Sequence, residues 1–197
     1  MGNIYLVRHA VTDYNLENRF QGQLDIPLSQ QGKEQAERLK RYFKGKQIDI
    51  IYTSDLKRAR ETAEYLSNEV NRSLKILTGL REVDVGQLEG LKWEEVKKTF
   101  PDWVSQGHND GYPGGESRAD IEKRVLYIWD YVNKSHRNDN IILVSHGGII
   151  KTLICQLLGI DAKRRSKLII DNCSVSWIVL GELGYRVKAL NTTLHLQ

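Results

Sequence analysis

The chain has 197 residues, with 29 Lys and Arg against 25 Asp and Glu. Its hydrophobic fraction of 40% and charged fraction of 27% are those of a globular protein and exclude a disordered or collagen-like chain. The longest apolar runs fall far short of the roughly 20 residues of a membrane span, and the N-terminus lacks the pattern of a signal peptide. Cys155 and Cys173 form neither a disulfide framework nor a metal-binding spacing, so we expect a cytoplasmic protein without a membrane partner.

The net charge of +4 suits a small anionic ligand as well as a polyanion. Two basic clusters occur, at 57–60 and 163–167. Neither is interleaved with the aromatic residues that stack on bases in nucleic-acid-binding proteins. We therefore interpret both clusters as solvated helix faces and expect no nucleic-acid partner.

Two periodicities alternate in the first half of the chain: short apolar runs rich in β-forming residues, and apolar residues at helical spacing. They predict, in chain order, a strand at 4–7, a helix at 30–44 capped by Ser29, a strand at 48–53, a helix capped by Ser54 or Asp55, and a strand at 74–77. The segment 79–116 is polar and rich in glycine. We expect it to be irregular apart from a short helix at 92–99, which Pro101 helps to end.

The second half continues the alternation. Its patterns predict a long helix capped by Ser117, a strand at 141–145, a helix from Gly147 that ends at Gly159, and a hairpin of strands near 174–180 and 185–190. Strands alternating with helices indicate a three-layer α/β fold, with a mostly parallel central sheet and helices on both faces. We expect one domain over 1–197, with a variable substrate loop at about 86–116.

Ligands of open α/β sheets bind beyond the carboxyl ends of the parallel strands. Charged and imidazole side chains follow all four strands predicted to be parallel, in chain order Arg8 and His9, then Arg58, then Glu82, then His146. A lone histidine at a strand end is usually structural. Such groups after four strands, from distant parts of the chain, indicate one shared site.

These residue types fit phosphoryl transfer. The planar fork of an arginine binds phosphate through two hydrogen bonds. Arg58 also falls in the first turn of a predicted helix, where backbone N–H groups and the helix dipole favour an anion. The sequence has neither a P-loop motif nor an Asp cluster placed for Mg²⁺, whereas a histidine can itself be the nucleophile. We expect no cofactor and no metal.

The segment LVRHAVTDYN contains a counterpart of the RHG motif of the histidine phosphatase superfamily, the phosphoglycerate-mutase-like proteins. The resemblance continues in the family's order through NRFQGQLDIPLSQQGKEQA, YTSDLKRARET, LREVDVGQLEGLKWEEV, YPGGES and LVSHGGI. It covers nearly the whole chain. It implies a phosphoglycerate-mutase-like fold and a metal-independent reaction through a phosphohistidine.

By this resemblance, His9 is the phosphorylated nucleophile. The residues that clamp the transferred phosphoryl group are then Arg8, Arg58 and His146, assisted by Asn15. A bound phosphate favours the charged form of a neighbouring imidazole, so we expect His146 to be protonated.

The resemblance also makes Glu82 the general acid that protonates the leaving oxygen and then the base that activates water. Thr12, Arg19 and Gly22 match substrate-side positions of the family, and turn formation or loop packing explains them equally well. The predicted substrate-binding group also includes Asn15 and Gly147.

The chain departs from the family pattern in four places, one of which is Val11, where an acidic residue is frequent. Ala10 replaces the glycine of the RHG motif, and Val85 stands where glycolytic mutases have a substrate-binding tyrosine. Between Gly90 and Pro113 the chain is shorter than the mutases, which have extra basic residues there. We therefore favour hydrolysis of a small anionic phosphomonoester. A cofactor-dependent mutase and a non-catalytic phospholigand-binding relative are the alternatives.

The sequence does not choose among phosphoserine, α-ribazole phosphate, a sugar phosphate and broad specificity, and it leaves a homodimer open. Three aromatic residues of the variable segment either pack beneath its loop or wall the leaving-group pocket: Trp93, Trp103 and Tyr112. Three histidines outside the motifs are interpreted as surface or incidental residues: His108, His136 and His195.

Overall fold

A computed structural model describes residues 1–107 and 111–197. Its strands are β1 (Asn3–Arg8), β2 (Ile50–Thr53), β3 (Leu74–Ile76), β4 (Asn140–Ser145), β5 (Val175–Gly181) and β6 (Gly184–Thr192). They form one sheet in the order β3-β2-β4-β1-β5-β6. Strands β1 to β4 are parallel, whereas β5 and β6 form an antiparallel hairpin beside β1.

Helices cover both faces of this sheet. They are α1 (Asp13–Leu16), α2 (Gln30–Phe43), α3 (Lys57–Val70), α4 (Trp93–Thr99), α5 (Pro101–Ser105), α6 (Arg118–Ser135) and α7 (Gly147–Leu158). Successive residues of β1 point to opposite faces, so Tyr5 and Val7 pack with α2 and α3, while Ile4 and Leu6 pack with α6 and α7. The three-layer, mostly parallel α/β fold is confirmed. None of the helices described is long and apolar enough to cross a membrane.

The capping residue and the apolar spacing in the sequence predicted the position of α2 correctly. Ser29 is its N-cap, and the Ser29 hydroxyl accepts a hydrogen bond from the backbone N–H of Gly32 at 3.1 Å. Ala36, Leu39 and Phe43 are fully buried, as their helical spacing predicts. The cap satisfies one of the N–H groups that a helix start leaves without a partner.

The start of α3 differs from the prediction. Its N-cap is Leu56, which has no capping side chain. The Ser54 hydroxyl instead lies 2.8 Å from Nε2 of His146, and the Asp55 carboxylate accepts from Nε of Arg81 at 2.7 Å. Contacts with distant segments therefore occupy the two side chains whose local chemistry predicted a cap.

The segment 79–116 contains more helix than expected. Helix α4 occupies the predicted position, but Pro101 also begins α5 as its first residue. Proline is favoured there because its missing N–H has no partner in a first helical turn. Short 3₁₀ turns lie at Thr78–Leu80 and Gly86–Leu88. His108 lies outside the described residues.

The strand ends meet at one edge of the sheet. Arg8 of β1 is opposite Ser145 of β4, and Thr53 of β2 is opposite Val144. The segments that follow these strands therefore start from neighbouring points. Two histidines away from this edge have structural contacts: His136 Nε2 lies 3.0 Å from the Tyr52 hydroxyl, and the His195 ring contacts a backbone carbonyl.

Gly32 lets α2 pack on the backbone of the loop after β1. A Cβ atom at Gly32 would lie 2.0 Å from the carbonyl oxygen of Val11, and that oxygen already accepts from the N–H of Ser29 at 3.0 Å. Because backbone must move, we expect Gly32→Ala to lower the free energy of unfolding by about 1–3 kcal/mol.

The control is Gly181→Ala, where the nearest atoms to an added Cβ lie 3.8 Å away. We expect this change to stay within about 0.5 kcal/mol. Urea unfolding followed by circular dichroism measures both variants. Equal midpoints for the two would contradict the close approach at Gly32.

Candidate active site

A cavity of about 380 Å³ opens at the carboxyl edge of the sheet. Residues from several separate segments line it, among them Arg8, His9, Arg58 and Glu82. His146 lies beside this lining and is fully buried, with its ring centroid 5.1 Å from that of His9. The structure therefore brings the five predicted catalytic residues together.

His9 is held as a neutral imidazole. Its Nδ1 donates a hydrogen bond to the carbonyl oxygen of Ala10 at 2.7 Å. Burial, and then the neighbouring guanidinium groups of Arg58 and Arg8, lower the pKa of His9 well below its usual range. With the proton on Nδ1, the lone pair of the ring is on Nε2. Nε2 is therefore the nitrogen that is chemically able to attack phosphorus.

Arg58 is a fully buried cation in the first turn of α3. Its two terminal nitrogens donate to the carbonyl oxygens of Leu24 at 2.7 Å and Gly22 at 2.8 Å. Its Nε donates to Nδ1 of His146 at 3.2 Å. Burial lowers the pKa of Arg58 to about 10, which still leaves it charged at neutral pH.

Arg8 has an unused donor beside the cavity. One terminal nitrogen donates to the carbonyl oxygen of Ile170 at 2.6 Å. Its Nε is buried and has no hydrogen-bond partner in the part of the chain that the structure describes. A buried donor without a partner is costly. An anionic oxygen bound next to His9 would satisfy it.

The ring of His146 is neutral, whereas a protonated ring was expected beside a phosphate. Its Nδ1 accepts from Arg58, so in a neutral ring Nε2 carries the proton and donates to the Ser54 hydroxyl at 2.8 Å. Burial, followed by the charge of Arg58, lowers the pKa of His146 well below its usual range. His146 is thus a neutral ring that holds Arg58 in place.

Backbone donors orient the carboxylate of Glu82. One oxygen accepts from the N–H of Val83 at 2.9 Å, and both accept from the N–H of Gly148, at 3.1 and 3.2 Å. A Cβ at Gly148 would lie 2.5 Å from that carboxylate, and one at Gly147 would lie 3.3 Å from Nε of Arg8. The two glycines therefore let α7 begin directly against both charged groups.

The predicted substrate-side residues divide into two groups. Those that line the cavity are Asn15, Arg19, Gly22 and Gly147. Thr12 does not line the cavity, so its predicted place beside the substrate is corrected. It is fully buried and caps α1, where its hydroxyl accepts from the N–H of Asn15 at 3.2 Å. Its hydroxyl also lies 2.9 Å from the side-chain oxygen of Gln21. Thr12 therefore positions other lining residues, because its hydroxyl is used by the N-cap.

Sequence reasoning missed part of the lining, namely Phe20, Gln21, Arg118, Lys151, Lys163 and Arg165. The cluster at 163–167 is not simply a solvated face, because the 3₁₀ helix Ala162–Lys167 brings Lys163 and Arg165 to the cavity. The cluster at 57–60 likewise contains the buried Arg58. One signal was available: Lys151 stands one helical turn after Gly147, on the same helix face.

An aromatic wall forms the side of the cavity under the variable segment. Phe20 and Trp93 have ring centroids 6.0 Å apart, and those of Trp103 and Tyr112 are 5.7 Å apart. All four side chains line the cavity. Of the two interpretations that the sequence left open, the structure supports the pocket wall.

The cavity is strongly cationic. Among the described lining residues, seven side chains are cations and one is a carboxylate: Arg8, Arg19, Arg58, Arg118, Lys151, Lys163 and Arg165 against Glu82. No group of three His, Cys, Asp or Glu side chains in residues 1–107 and 111–197 is arranged to hold a metal ion.

A cationic cavity at the strand ends of a three-layer sheet is typical of α/β proteins that bind small anions. The sequence profile of the histidine phosphatase superfamily (branch 1) matches residues 4–193, and the chain belongs to this family.

Individual relatives agree with this assignment. The chain is 36% identical to phosphoserine phosphatase 1 of Hydrogenobacter thermophilus, over all of this chain and 95% of that protein. It is 34% identical to a protein named probable phosphoglycerate mutase in Salmonella choleraesuis, over 100% and 95% of the two chains. A phosphoserine phosphatase mutant of Entamoeba histolytica, solved in complex with phosphoserine, superimposes with a TM-score of 0.89 at 29% identity over 100% of both chains. The chain is a phosphomonoester hydrolase.

The neutral buried histidines make stability depend on pH. Because the folded-state pKa values of His9 and His146 lie well below 6.5, the unfolded chain binds protons that the folded protein does not as the pH falls through that value. Stability therefore decreases toward acid. We expect the free energy of unfolding to fall by at most about 1.4 kcal/mol for each such histidine between about pH 7.5 and about pH 5.5.

Urea midpoints across this range measure the effect in wild type and in His9→Asn. The variant should have a shallower pH dependence, because one of the neutral rings is gone. Most carboxylates titrate below about pH 5 and contribute little in this window. A pH dependence as steep in His9→Asn as in wild type would show that His9 is not buried as a neutral ring.

Proposed function

We propose that the protein hydrolyses a small phosphorylated metabolite through a phosphohistidine on His9, without a metal ion. The observation that carries this proposal is the pairing of a neutral His9, whose lone pair is on Nε2, with an Arg8 whose buried Nε lacks a partner within residues 1–107 and 111–197. Nucleophile and anion-binding donor line the same cavity.

In the first step, Nε2 of His9 attacks phosphorus and the bond from phosphorus to the ester oxygen breaks. Glu82 gives its proton to that oxygen, so the leaving group departs as a neutral alcohol. Arg8 and Arg58 stabilise the charge on the three other phosphoryl oxygens. The products of this step are the alcohol and phosphorylated His9.

In the second step, the ionised Glu82 takes a proton from a water molecule whose oxygen attacks phosphorus. The phosphorus–nitrogen bond breaks, the ring of His9 regains its lone pair, and inorganic phosphate leaves. The N–H groups of Val83 and Gly148 hold the carboxylate in one orientation through both steps. One carboxyl group can thus act as acid and then as base.

The charge of the arginines supports metal independence. Metal ions in other phosphoryl-transfer sites neutralise the charge that develops on the phosphoryl oxygens. Here Arg58 is fully buried and Arg8 is anchored to the carbonyl of Ile170, so both cations are in place before substrate binds. Such preorganised charges need little rearrangement during the reaction.

Phosphoglycerate mutase action is a second candidate, because the relative from Salmonella choleraesuis bears that name at 34% identity. A mutase would return the phosphoryl group to a second hydroxyl in place of water. We favour hydrolysis because the segment between Gly90 and Pro113 is shorter than the resemblance gives for the mutases, which have extra basic residues there. An assay with 3-phosphoglycerate separates the two activities: a phosphatase releases inorganic phosphate, whereas a mutase interconverts 2- and 3-phosphoglycerate.

We also infer the kind of leaving group, the cellular compartment and the domain organisation. The aromatic wall is suited to the carbon part of a small leaving group. Cys155 and Cys173 are buried free thiols, which fits the reducing cytoplasm. We take residues 1–197 to be one domain with a small-molecule substrate.

We expect His9 to carry the phosphoryl group during turnover. Rapid mixing with radiolabelled substrate in excess EDTA should trap an acid-labile, base-stable phosphoenzyme, because a phosphorus–nitrogen bond is hydrolysed in acid. His9→Ala should abolish both labelling and turnover. Wild-type labelling in His9→Ala would refute the nucleophile, and a strict requirement for an added divalent ion would refute metal independence.

We expect Glu82→Gln to have effects that depend on the leaving group. An alkyl alcohol needs a proton to leave, whereas p-nitrophenolate does not. The phosphorylation rate of His9 should therefore fall by about 10²–10⁴ with an alkyl phosphate and by much less with p-nitrophenyl phosphate, when each is measured in a single turnover.

The matched control is Glu94→Gln, an exposed carboxylate of α4 that pairs with Lys97; it should leave both rates near wild type. Equal losses with the two substrates in Glu82→Gln would show that Glu82 only positions the substrate. Asp84 would then be the nearest candidate for the acid.

A further inference from the structure

The cations of the cavity form two regions. Arg8 and Arg58 flank His9, as described above. Lys151, Lys163 and Arg165, here called the distal cations, line the same cavity from α7 and the 3₁₀ helix that follows it. Of the remaining lining cations, Arg19 is already paired with a glutamate at 2.6 Å. The distal cations therefore add positive charge beyond the groups that surround the phosphoryl site.

Lys151 lies on the helix that begins beside the phosphoryl site. It lies four residues after Gly147, one turn or roughly 5–6 Å along the same face of α7, and Gly147 packs against Arg8. The side chain of Lys151 is half-buried. Burial, followed by the charge of Arg8, lowers the pKa of its ammonium group; Glu82 and Asp171 act in the opposite direction, and Arg165 adds to the lowering. The described lining around Lys151 contains more cations than carboxylates, which favours an anion there.

Arg165 is oriented by an aromatic residue instead of a carboxylate. A terminal nitrogen of its guanidinium donates to the Tyr112 hydroxyl at 3.2 Å, and Cζ lies 5.8 Å from the centroid of that ring. Within the described ranges, no ion pair includes Lys151, Lys163 or Arg165. A guanidinium held in this way keeps its charge available for a ligand.

We propose that Lys151 and Arg165 form a second anion subsite that binds a carboxylate or a second phosphate on the leaving group of the substrate. The inference rests on the hydrolysis proposed above and narrows its substrate class. About one helical turn separates Lys151 from the residue that packs on Arg8, so the two anions of the substrate are close together. Compact phosphorylated hydroxy acids, amino acids among them, and compact bisphosphates meet this requirement.

Matched substrate pairs test the subsite. Phosphoserine and phosphoethanolamine differ only by a carboxylate, and propane-1,3-diol bisphosphate and its monophosphate differ by one phosphate. We expect kcat/KM of wild type to favour the doubly anionic member of at least one pair by about 10- to 100-fold, as for a hydrogen bond to a charged group. The pair that shows the preference identifies the second anion.

Substitutions then test which side chains cause the preference for the doubly anionic substrate. Lys151→Met and Arg165→Met should each reduce this ratio by about tenfold, and Lys151→Arg should keep most of it. The matched control is Arg164→Met, which removes the same charge from the adjacent, exposed residue outside the cavity lining; its ratio should equal that of wild type. Circular dichroism verifies the fold of each variant.

Two outcomes overturn the subsite: a wild-type ratio near one in both pairs, or a ratio that neither Lys151→Met nor Arg165→Met changes. Hydrolysis of p-nitrophenyl phosphate, which lacks a second anion, reports the proposed function separately. If this ester is cleaved and the ratio is one, only the subsite fails. If no ester is cleaved, the proposed function fails, and calorimetric titration of wild type and both variants with each pair decides the subsite.

Discussion

The parallel pairing of β1 with β4 is the interaction on which the active site depends. Arg8 and Ser145 are opposite each other in this ladder, and the N–H of His9 continues it by donating to the carbonyl oxygen of Ser145 at 2.9 Å. The residues that follow the two strands are therefore neighbours although 137 positions separate them in sequence, and the rings of His9 and His146 come within 5.1 Å. A shift of one residue would turn each side chain to the opposite face of the sheet.

A buried charge then ties the surrounding segments to this edge. Arg58 is fully buried, and a buried cation is tolerated only when its donors are satisfied. The carbonyl oxygens of Gly22 and Leu24 and the ring of His146 satisfy three of its five N–H donors. The loop after α1, the start of α3 and the start of α7 are thus held around one guanidinium, so the cost of burying the charge is offset by contacts that also preorganise the site.

The two sides of the cavity have different structural origins. The side that we propose for the phosphoryl group consists of residues at strand ends and helix starts, which the sheet and short backbone contacts hold in place. The side that we propose for the leaving group is built from the connection between β3 and α6, which carries Trp93 and Trp103 on short helices, and from the 3₁₀ helix with Arg165. Loops of this kind vary without disturbing the core. One fold can therefore keep its reaction while the shape and charge of the leaving-group side change.

The sequence by itself determined the strands, most helix positions, the Ser29 cap and the edge where His9 and Glu82 meet, because apolar periodicity, capping and the strand-end rule act within a few residues or follow from topology alone. Only the tertiary structure decided that Ser54 contacts His146 instead of capping a helix, that His146 is neutral, and that Lys151 reaches the cavity. Burial, hydrogen-bond partners and pKa depend on segments that come together only when the chain folds, and no local pattern records which neighbours those will be.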